Sequence, residues 1–290
     1  MQQVQRVRIT ELMVEDSHST SNSLQPPSKK LSDWLKQDIP IIIEGLGHSM
    51  KCMSWTVNEL KQSYSHIPFQ ITKTTQDHIS GAGTLKTMTI PQLLHKIDQL
   101  KLTNNHSTRY YLSGSNLISK RRKDEIQTHS ENERTTSYET SFHTNDHQQL
   151  LDVTMSDQEK LELEQLQNDC QDFTQFIMKE LTHHEELSYL GIWLVHDQQK
   201  TWLHFDCAHN LMLQICGKKT FLLASPTHYL NLYPYTFKSC KGQDMKGEIY
   251  RFSEVNAWES QLDQYPKSSR VQFLEAQLER GDGLLVPLGW

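Results

Sequence analysis

The segment TWLHFDCAHNLMLQICGKKTFLLASP, residues 201–226, sets the expected fold and chemistry of this chain. His204 and Asp206 are two residues apart in a run that predicts a strand over 202–206. Because side chains alternate between the faces of a strand, this imidazole and this carboxylate are expected to point the same way. Such a pair suits Fe(II), provided that a third ligand from elsewhere completes a face that leaves coordination positions open. A strand histidine hydrogen-bonded to a nearby aspartate is the simpler alternative, and the spacing alone favours it.

The second half of the chain is otherwise rich in short predicted strands. Turn residues such as Asp197, Gly217 and Pro226 separate them. The predicted strands cover residues 190–195, 202–206, 210–216, 219–224, 271–278 and 284–286. Closely spaced short strands of this kind predict a sandwich or a barrel.

The first half of the chain mixes helical and strand patterns. Apolar periodicity predicts helices over 31–35, 56–64 and 89–100, and strands over 39–43 and 69–72. Composition then divides the chain into a loop-like tail, an N-terminal α/β part, a polar insertion expected to be disordered, and a β core. These four parts are residues 1–30, 31–118, 119–160 and 161–290.

Composition restricts the classes of function. The net charge of −6, with acidic and basic residues interspersed, argues against a protein that coats DNA or an anionic membrane. The five cysteines form no CxxC pair, which predicts reduced thiols rather than disulfides or structural zinc. No apolar run is long enough for a signal sequence or a membrane span, so we expect an intracellular protein, cytoplasmic or nuclear.

The residues around the His204–Asp206 pair favour the metal-site interpretation over the simpler one. The pair is followed, at the spacing of a known pattern, by Asn210, Gln214-Ile215, Gly217, Lys219, Pro226 and Leu232-Tyr233-Pro234. This pattern resembles the cupin-like JmjC oxygenases, a family that includes an asparaginyl hydroxylase of the hypoxia response and a tRNA wybutosine hydroxylase. The resemblance implies an α+β protein, mainly β, with a double-stranded β-helix (jelly-roll or cupin) core behind N-terminal helices and strands.

The resemblance also implies two cofactors, Fe(II) and the cosubstrate 2-oxoglutarate. His204 and Asp206 then bind the metal, and Lys219 pairs with the distal carboxylate of 2-oxoglutarate. From its position alone, Lys219 is a surface residue of a hairpin turn over 217–219. A buried dicarboxylate needs a cation, however, and charge-assisted hydrogen bonds are among the strongest available.

Three further positions match family residues that surround the cosubstrate. Thr201 and Tyr111 match hydroxyl groups that donate to the same carboxylate, although the adjacent Tyr110 exchanges with Tyr111 if the register slips by one residue. Asn210 matches a position beside the cosubstrate, and the start of a strand explains it equally well.

The sequence departs from the family pattern near residue 290. In the family, a run like 281–287 leads into the strand that carries the second histidine ligand, which is expected about two residues beyond Trp290. The last strands of the barrel are expected to be missing as well. Three explanations stay open: an incomplete sequence of an active oxygenase, a truncated homologue without activity, or a residue elsewhere that completes the site.

The function expected from the resemblance is hydroxylation of a side chain in a protein or peptide substrate. Modification of tRNA and demethylation of lysine are alternatives within the same family. A catalytically inactive cupin that acts as a binding or scaffold module is an alternative from another class. Homodimerisation stays open, because the sequence contains nothing that decides it.

Overall fold

The computed structural model describes residues 1–9, 31–74, 78–79, 84–103, 108–119, 155–181, 187, 189–195, 199–235, 252–259 and 261–290. The α-helices in these ranges are α1 Leu31–Lys36, α2 Val57–Ser63, α3 Ile90–Leu102, α4 Asp157–Asp169 and α5 Gln171–Leu181. Short 3-10 helices cover Lys51–Ser54, Pro226–Leu232 and Pro266–Arg270. The first eight strands are β1 Gln2–Gln3, β2 Gln5–Arg8, β3 Ile41–Glu44, β4 Phe69–Thr74, β5 His78–Ile79, β6 Thr84–Met88, β7 Arg109–Ser119 and β8 Tyr189–Leu194. The remaining strands are β9 Lys200–Thr201, β10 Asn210–Leu213, β11 Lys219–Ala224, β12 Pro234–Tyr235, β13 Phe252–Ser253, β14 Phe273–Leu278 and β15 Gly283–Val286.

The chain divides into two compact units. The first unit comprises Met1–Glu59, Asp169–Glu185 and Lys200–Trp290. The second unit comprises Leu60–Asn168 and Glu186–Gln199. The predicted metal-ligand pair and Lys219 lie in the first unit.

A β-sandwich forms the core of the first unit. One sheet has the order β10-β15-β3-β2 and the other has the order β1-β14-β11. Both sheets contribute to one buried apolar cluster, whose members are Val4, Ile42, Leu223, Ala276, Leu278 and Leu284. The predicted α+β class with a β-sandwich core is therefore confirmed.

The pleat of two strands decides which side chains reach the sandwich interior. Lys219, Phe221 and Leu223 occupy every second position of β11 and therefore share one face of the strand. Leu223 belongs to the buried cluster. On β10, Met212 lies opposite the buried Leu284 of β15. Because directly opposed residues project to the same side of a sheet, Met212 points inward. Lys219 and Met212 therefore face the same interior from different sheets.

The second unit is built on a sheet of order β6-β4-β7-β8. Helix α3 begins after Thr89, whose side chain accepts from the Gln92 N–H while the Gln92 side chain accepts from the Thr89 N–H. This reciprocal cap, with Pro91 in the first turn, satisfies amide groups that the helix cannot satisfy internally. It explains why the predicted start of this helix is correct.

Most predicted elements of regular structure are confirmed within one to three residues. Strand β11 has the predicted bounds, and the helices predicted near 31, 56 and 89 all form. The strand predicted over 202–206 is wrong, because only His204 makes a bridge there, to Phe252. The hairpin predicted over 217–219 is also wrong, because β10 pairs with β15 whereas β11 pairs with β14. Gly217, at φ +70°, therefore turns the chain from one sheet to the other.

The predicted domain boundaries stay a prediction, but regular elements form at two places where the sequence predicted a loop or disorder. Residues 2–8 are not loop-like: β1 pairs with β14 and β2 pairs with β3, both parallel, while Val4 and Val7 are buried. Val4 and Val7 are enough to anchor this otherwise polar segment at the edges of the two sheets. Composition alone does not predict such strand pairing. Helix α4 begins inside the predicted insertion because Ser156 and Glu159 cap each other's amide groups. Residues 10–30 and 120–154 lie outside the described residues.

The cysteines of the described residues are free thiols of two kinds. Cys52 and Cys170 are buried, whereas Cys207 and Cys216 are exposed. Burial raises the pKa of Cys52 to about 11 and that of Cys170 to about 12. These two thiols are therefore protonated and unreactive at neutral pH. Cys240 lies outside the described residues.

Candidate metal and cosubstrate site

Backbone pairing with β13 positions His204. Its bridge partner is Phe252, and the Ser253 N–H donates to the Leu203 carbonyl at 2.9 Å. The rings of His204 and Phe252 stack with their centroids 5.7 Å apart and their planes 30° apart. The imidazole is exposed on its other side, so a neighbouring aromatic ring orients it without covering it.

The hydrogen bond made by the His204 ring defines its tautomer. Nδ1 lies 2.7 Å from the carbonyl oxygen of Trp202. A carbonyl oxygen only accepts, so Nδ1 carries the proton and donates. In the neutral imidazole the lone pair is then on Nε2. Metal-binding histidines have this arrangement, in which the nitrogen that does not bind the metal donates to a carbonyl or a carboxylate.

The Asp206 carboxylate is exposed and held from one side. The Asn210 amide Nδ2 donates to Asp206 Oδ2 at 2.8 Å, which leaves Oδ1 open in this contact. Asn210 is the first residue of β10, so a strand end fixes its position. The structure thus places Asn210 against the predicted metal ligand. Its predicted place beside the cosubstrate stays a prediction.

Lys219 lies at the start of β11 with its side chain in the sandwich interior. Its ammonium donates to the thioether Sδ of Met212 at 3.7 Å and lies 4.9 Å from the centre of the Phe221 ring. Burial lowers the pKa of this ammonium. A sulfur and an aromatic face are soft partners, and an anionic oxygen would stabilise the charged form far better. The prediction that Lys219 is merely a surface residue is therefore the weaker of the two interpretations.

Thr201 and Tyr111 lie in different units. Thr201 ends β9 in the first unit and is exposed. Tyr111 lies on β7 in the second unit, 1% exposed, and shares a hydrogen bond with Thr72. Burial raises the pKa of Tyr111, so its hydroxyl is a neutral donor at physiological pH. The ammonium nitrogen of Lys73 lies over the ring of the neighbouring Tyr110, 5.9 Å from the ring centroid. The roles of Thr201 and Tyr111 towards 2-oxoglutarate stay predictions.

The donor set fits Fe(II) as far as the described residues extend. His204 offers a nitrogen lone pair and Asp206 an oxygen, and both are held by neighbouring groups. In that part of the chain, no group of three or more His, Cys, Asp or Glu side chains could hold a metal ion. His209 does not extend the set, because its Nδ1 lone pair accepts from the Leu288 N–H at 3.0 Å. Of the described residues, these two would supply ligands to the iron, and the third ligand that the family pattern requires is not among them.

Sequence reasoning missed two contacts that shape the site. Phe252 stacks on His204 from a segment 48 positions later, and no local pattern marks it. Met212 touches Lys219 from the opposite sheet. The alternation of β10 contained a signal for Met212, since Asn210 and Met212 share one face of that strand.

Comparison with known proteins identifies the family of the chain. Residues 27–290 match the family described as a cupin-like domain. This chain belongs to the cupin-like family. The match covers most of the chain, including both units, so the predicted family is confirmed.

Individual relatives of this cupin-like protein carry different names. It is 29% identical over 108 residues to Lysine-specific demethylase JMJ31 of Arabidopsis thaliana, covering 37% of this chain and 18% of that protein. It is 30% identical over 88 residues to Jumonji C domain-containing protein 5 of Drosophila melanogaster, covering 30% and 20%. It is 35% identical over 89 residues to tRNA wybutosine-synthesizing protein 5 of Homo sapiens, covering 31% and 24%. The aligned stretches thus span less than a quarter of each of these relatives.

Among the described residues, no helix has the length and apolar character needed to cross a bilayer.

Proposed function

We propose that this cupin-like protein is an Fe(II)- and 2-oxoglutarate-dependent dioxygenase that hydroxylates a side chain of a protein or peptide. The observation that carries the proposal is the 2.7 Å contact between Nδ1 of His204 and the Trp202 carbonyl oxygen. The Nδ1–H of His204 donates a hydrogen bond to the Trp202 carbonyl, so Nε2 of this exposed ring keeps its lone pair. A carboxylate anchored by an amide lies two residues away. This is the donor chemistry of a metal ligand pair with its supporting hydrogen bonds.

Bound iron, with 2-oxoglutarate and O₂, would supply the oxidising power to convert a C–H bond of the substrate into C–OH. The residues of the chain bind and orient. His204 and Asp206 would hold the iron, and the stacked Phe252 and the Asn210 amide keep these two ligands in place. Positioning of this kind, rather than the redox chemistry itself, is the protein's contribution.

Lys219 would bind the distal carboxylate of the cosubstrate. Its ammonium is desolvated in the sandwich interior, which lowers its pKa. A carboxylate arriving there would form a charge-assisted hydrogen bond in a medium of low dielectric constant, where such bonds are strong. A simple 2-oxo acid would lack the second carboxylate that this contact needs.

Succinate formation tests the proposed activity. Wild-type protein is incubated with Fe(II), 2-oxoglutarate and ascorbate, and His204→Ala and His228→Ala are compared with it. His228 lies on the 3-10 helix Pro226–Leu232 and serves as a matched histidine control. We expect succinate from the wild type and His228→Ala, and background levels from His204→Ala. Equal turnover by wild type and His204→Ala would refute the metal assignment.

The similarity to the wybutosine-synthesizing proteins favours tRNA as a second substrate class. The net charge of −6 argues mildly against it, because nucleic-acid binding usually needs a basic surface. Incubation with peptide pools and with tRNA, followed by mass spectrometry, separates the two: the substrate gains the mass of one oxygen atom. Release of formaldehyde from methylated lysine peptides would instead indicate demethylation, as the names of other relatives suggest. Absence of turnover with intact folding would favour a binding module.

A further inference from the structure

The contact between Met212 and Lys219 joins an oxidisable group to the proposed carboxylate site. Sδ of Met212 accepts from the Lys219 ammonium at 3.7 Å, across the sandwich interior. The Phe221 ring, 4.9 Å from the same ammonium, limits where the lysine end can go. The thioether therefore occupies one of the three donor positions of the Lys219 ammonium, at the proposed carboxylate site.

A thioether is a weak acceptor, and a carboxylate displaces it readily from an ammonium. Oxidation changes this balance. A methionine sulfoxide carries a polar S=O oxygen, which accepts strongly from a cation and turns an apolar side chain into a polar one. In the low-dielectric interior, such an oxygen would compete with the cosubstrate for Lys219.

The proposed regulation requires that a small oxidant reaches the sulfur of Met212. Met212 is only partly buried, and the nearby strand end at Asn210 is exposed. The reaction with hydrogen peroxide is balanced: the peroxide O–O bond breaks, one oxygen forms an S=O bond, and the other leaves as water. The sulfur loses two electrons and the peroxide gains them. Methionine sulfoxide reductases reverse the change.

We propose that Met212 is a modification site at which oxidation to the sulfoxide blocks Lys219 and weakens capture of the cosubstrate carboxylate. The proposal rests on the proposed function, because it takes 2-oxoglutarate as the ligand of Lys219. It adds regulation to that site: peroxide lowers affinity for 2-oxoglutarate through a residue that binds neither the metal nor the substrate.

The test compares wild type with Met212→Leu, which keeps the volume of the side chain and cannot be oxidised. Both proteins are treated with hydrogen peroxide and then with dithiothreitol, which reverses disulfides and sulfenates at the exposed Cys207 and Cys216. Peptide mass spectrometry measures oxygen at residue 212. Calorimetry then measures the affinity of the Mn(II)-loaded protein for 2-oxoglutarate. Met212→Gln, with a carbonyl oxygen in place of the S=O group, serves as a permanent mimic.

We expect oxidised wild type and Met212→Gln to bind 2-oxoglutarate about tenfold more weakly than reduced wild type, as one competing charge-assisted hydrogen bond implies. Met212→Leu should keep its affinity after peroxide, and methionine sulfoxide reductase should restore the wild type. Unchanged affinity in wild type fully oxidised at Met212, or an equal loss in Met212→Leu, overturns the inference alone. Failure of reduced wild type to bind 2-oxoglutarate overturns the proposed function and this inference with it.

Discussion

At the scale of single residues, two neighbouring lysines provide a matched pair. Lys219 lies in the interior against Met212, whereas Lys218 reaches outward to Glu279, with 77% of its side chain exposed. We expect Lys219→Ala to raise the apparent Michaelis constant for 2-oxoglutarate at least tenfold, because it removes the cation of the proposed carboxylate site. Lys218→Ala should leave it unchanged. Steady-state succinate formation measures both, and equal constants in wild type and Lys219→Ala would remove Lys219 from the site.

Asn210 is expected to act through the metal rather than through the cosubstrate. Its amide holds Asp206 at 2.8 Å, and loss of such a supporting hydrogen bond commonly costs about 10- to 100-fold in metal affinity. We therefore expect Asn210→Ala to weaken binding of Mn(II), followed by its electron paramagnetic resonance signal. Asn210→Asp keeps the size but replaces the donor with a second carboxylate. If Asn210→Ala bound the metal as tightly as wild type did, the hydrogen bond would have no role in the site.

Part of the candidate site could be proposed from the sequence. His204, Asp206 and Lys219 were proposed because they match positions of the family pattern, and their roles stay predictions. The tautomer of His204 could not be predicted, because it depends on the carbonyl of Trp202, a backbone atom that carries no sequence signal. Met212 escaped notice because its partner Lys219 lies on another sheet.

At the scale of elements, one buried carboxylate ties helix α4 to the loop before β4. Glu162 accepts from the His66 N–H at 2.8 Å, from the His66 ring Nδ1 at 2.6 Å and from the Gln158 amide at 3.1 Å. Burial by itself raises the pKa of this carboxyl, but the three hydrogen bonds outweigh it and the net pKa is lowered. The ionised form is therefore the one that stabilises the second unit.

The pH dependence of stability follows from this lowered pKa. The pKa of this carboxyl is lower in the folded state than in the unfolded state, where it is about 4.3 for Glu. Its contribution to the stability of the fold is therefore complete at pH values above the unfolded-state pKa. The contribution is lost as the pH falls through the folded-state pKa. Glu162→Gln should lower the free energy of unfolding by about 1–3 kcal/mol at neutral pH. The difference from wild type should shrink below about pH 4.3. Urea unfolding across pH measures this.

Glu164 provides the control for this helix. It lies on the same helix and is exposed, so Glu164→Gln should change stability little at any pH. The stability difference between wild type and Glu162→Gln could instead stay constant from neutral pH down to about pH 3, which is below the unfolded-state pKa of Glu. In that case the charge of the carboxylate is not what holds the helix.

Sequence patterns predicted the elements better than their pairing. Helix α3 was predictable because Thr89 and Pro91 mark its start and Ile90, Leu93 and Ile97 face the core. The start of helix α4 has an equally clear cap at Ser156, which the polar composition around it concealed. The segment around His204 was mistaken for a regular strand because apolar alternation also fits a single bridge.

At the scale of the whole molecule, the sandwich of the first unit depends on strands that lie far apart in the sequence. Strand β3 pairs with β15 and with β2, so residues near positions 6, 42 and 284 form one sheet. Local patterns cannot specify such long-range register, which explains why the sandwich was predicted and its strand order was not. The deciding information lies in the fit of the core side chains, which only the folded chain shows.

Ile42 tests that core. It is 1% exposed in the apolar cluster shared by the two sheets, whereas Ile39 is 42% exposed just before the same strand. Ile42→Ala should lower the free energy of unfolding by about 2–5 kcal/mol, because it removes buried methyl groups and leaves a cavity. Ile39→Ala should cost no more than about 0.5 kcal/mol. Chemical denaturation followed by circular dichroism distinguishes them, and similar costs for both would contradict the sandwich core.

Under the proposed function, the metal ligands and Lys219 would serve one ligand, 2-oxoglutarate, which would contact both the iron and the lysine. Calorimetric titration of 2-oxoglutarate under anaerobic conditions, with and without Mn(II) as a redox-stable substitute, tests it most directly in wild type and His204→Ala. We predict that the metal strengthens binding of 2-oxoglutarate by wild type at least tenfold, and that His204→Ala loses this coupling while weak binding to Lys219 persists. Equal affinity of wild type for 2-oxoglutarate with and without the metal would contradict the account.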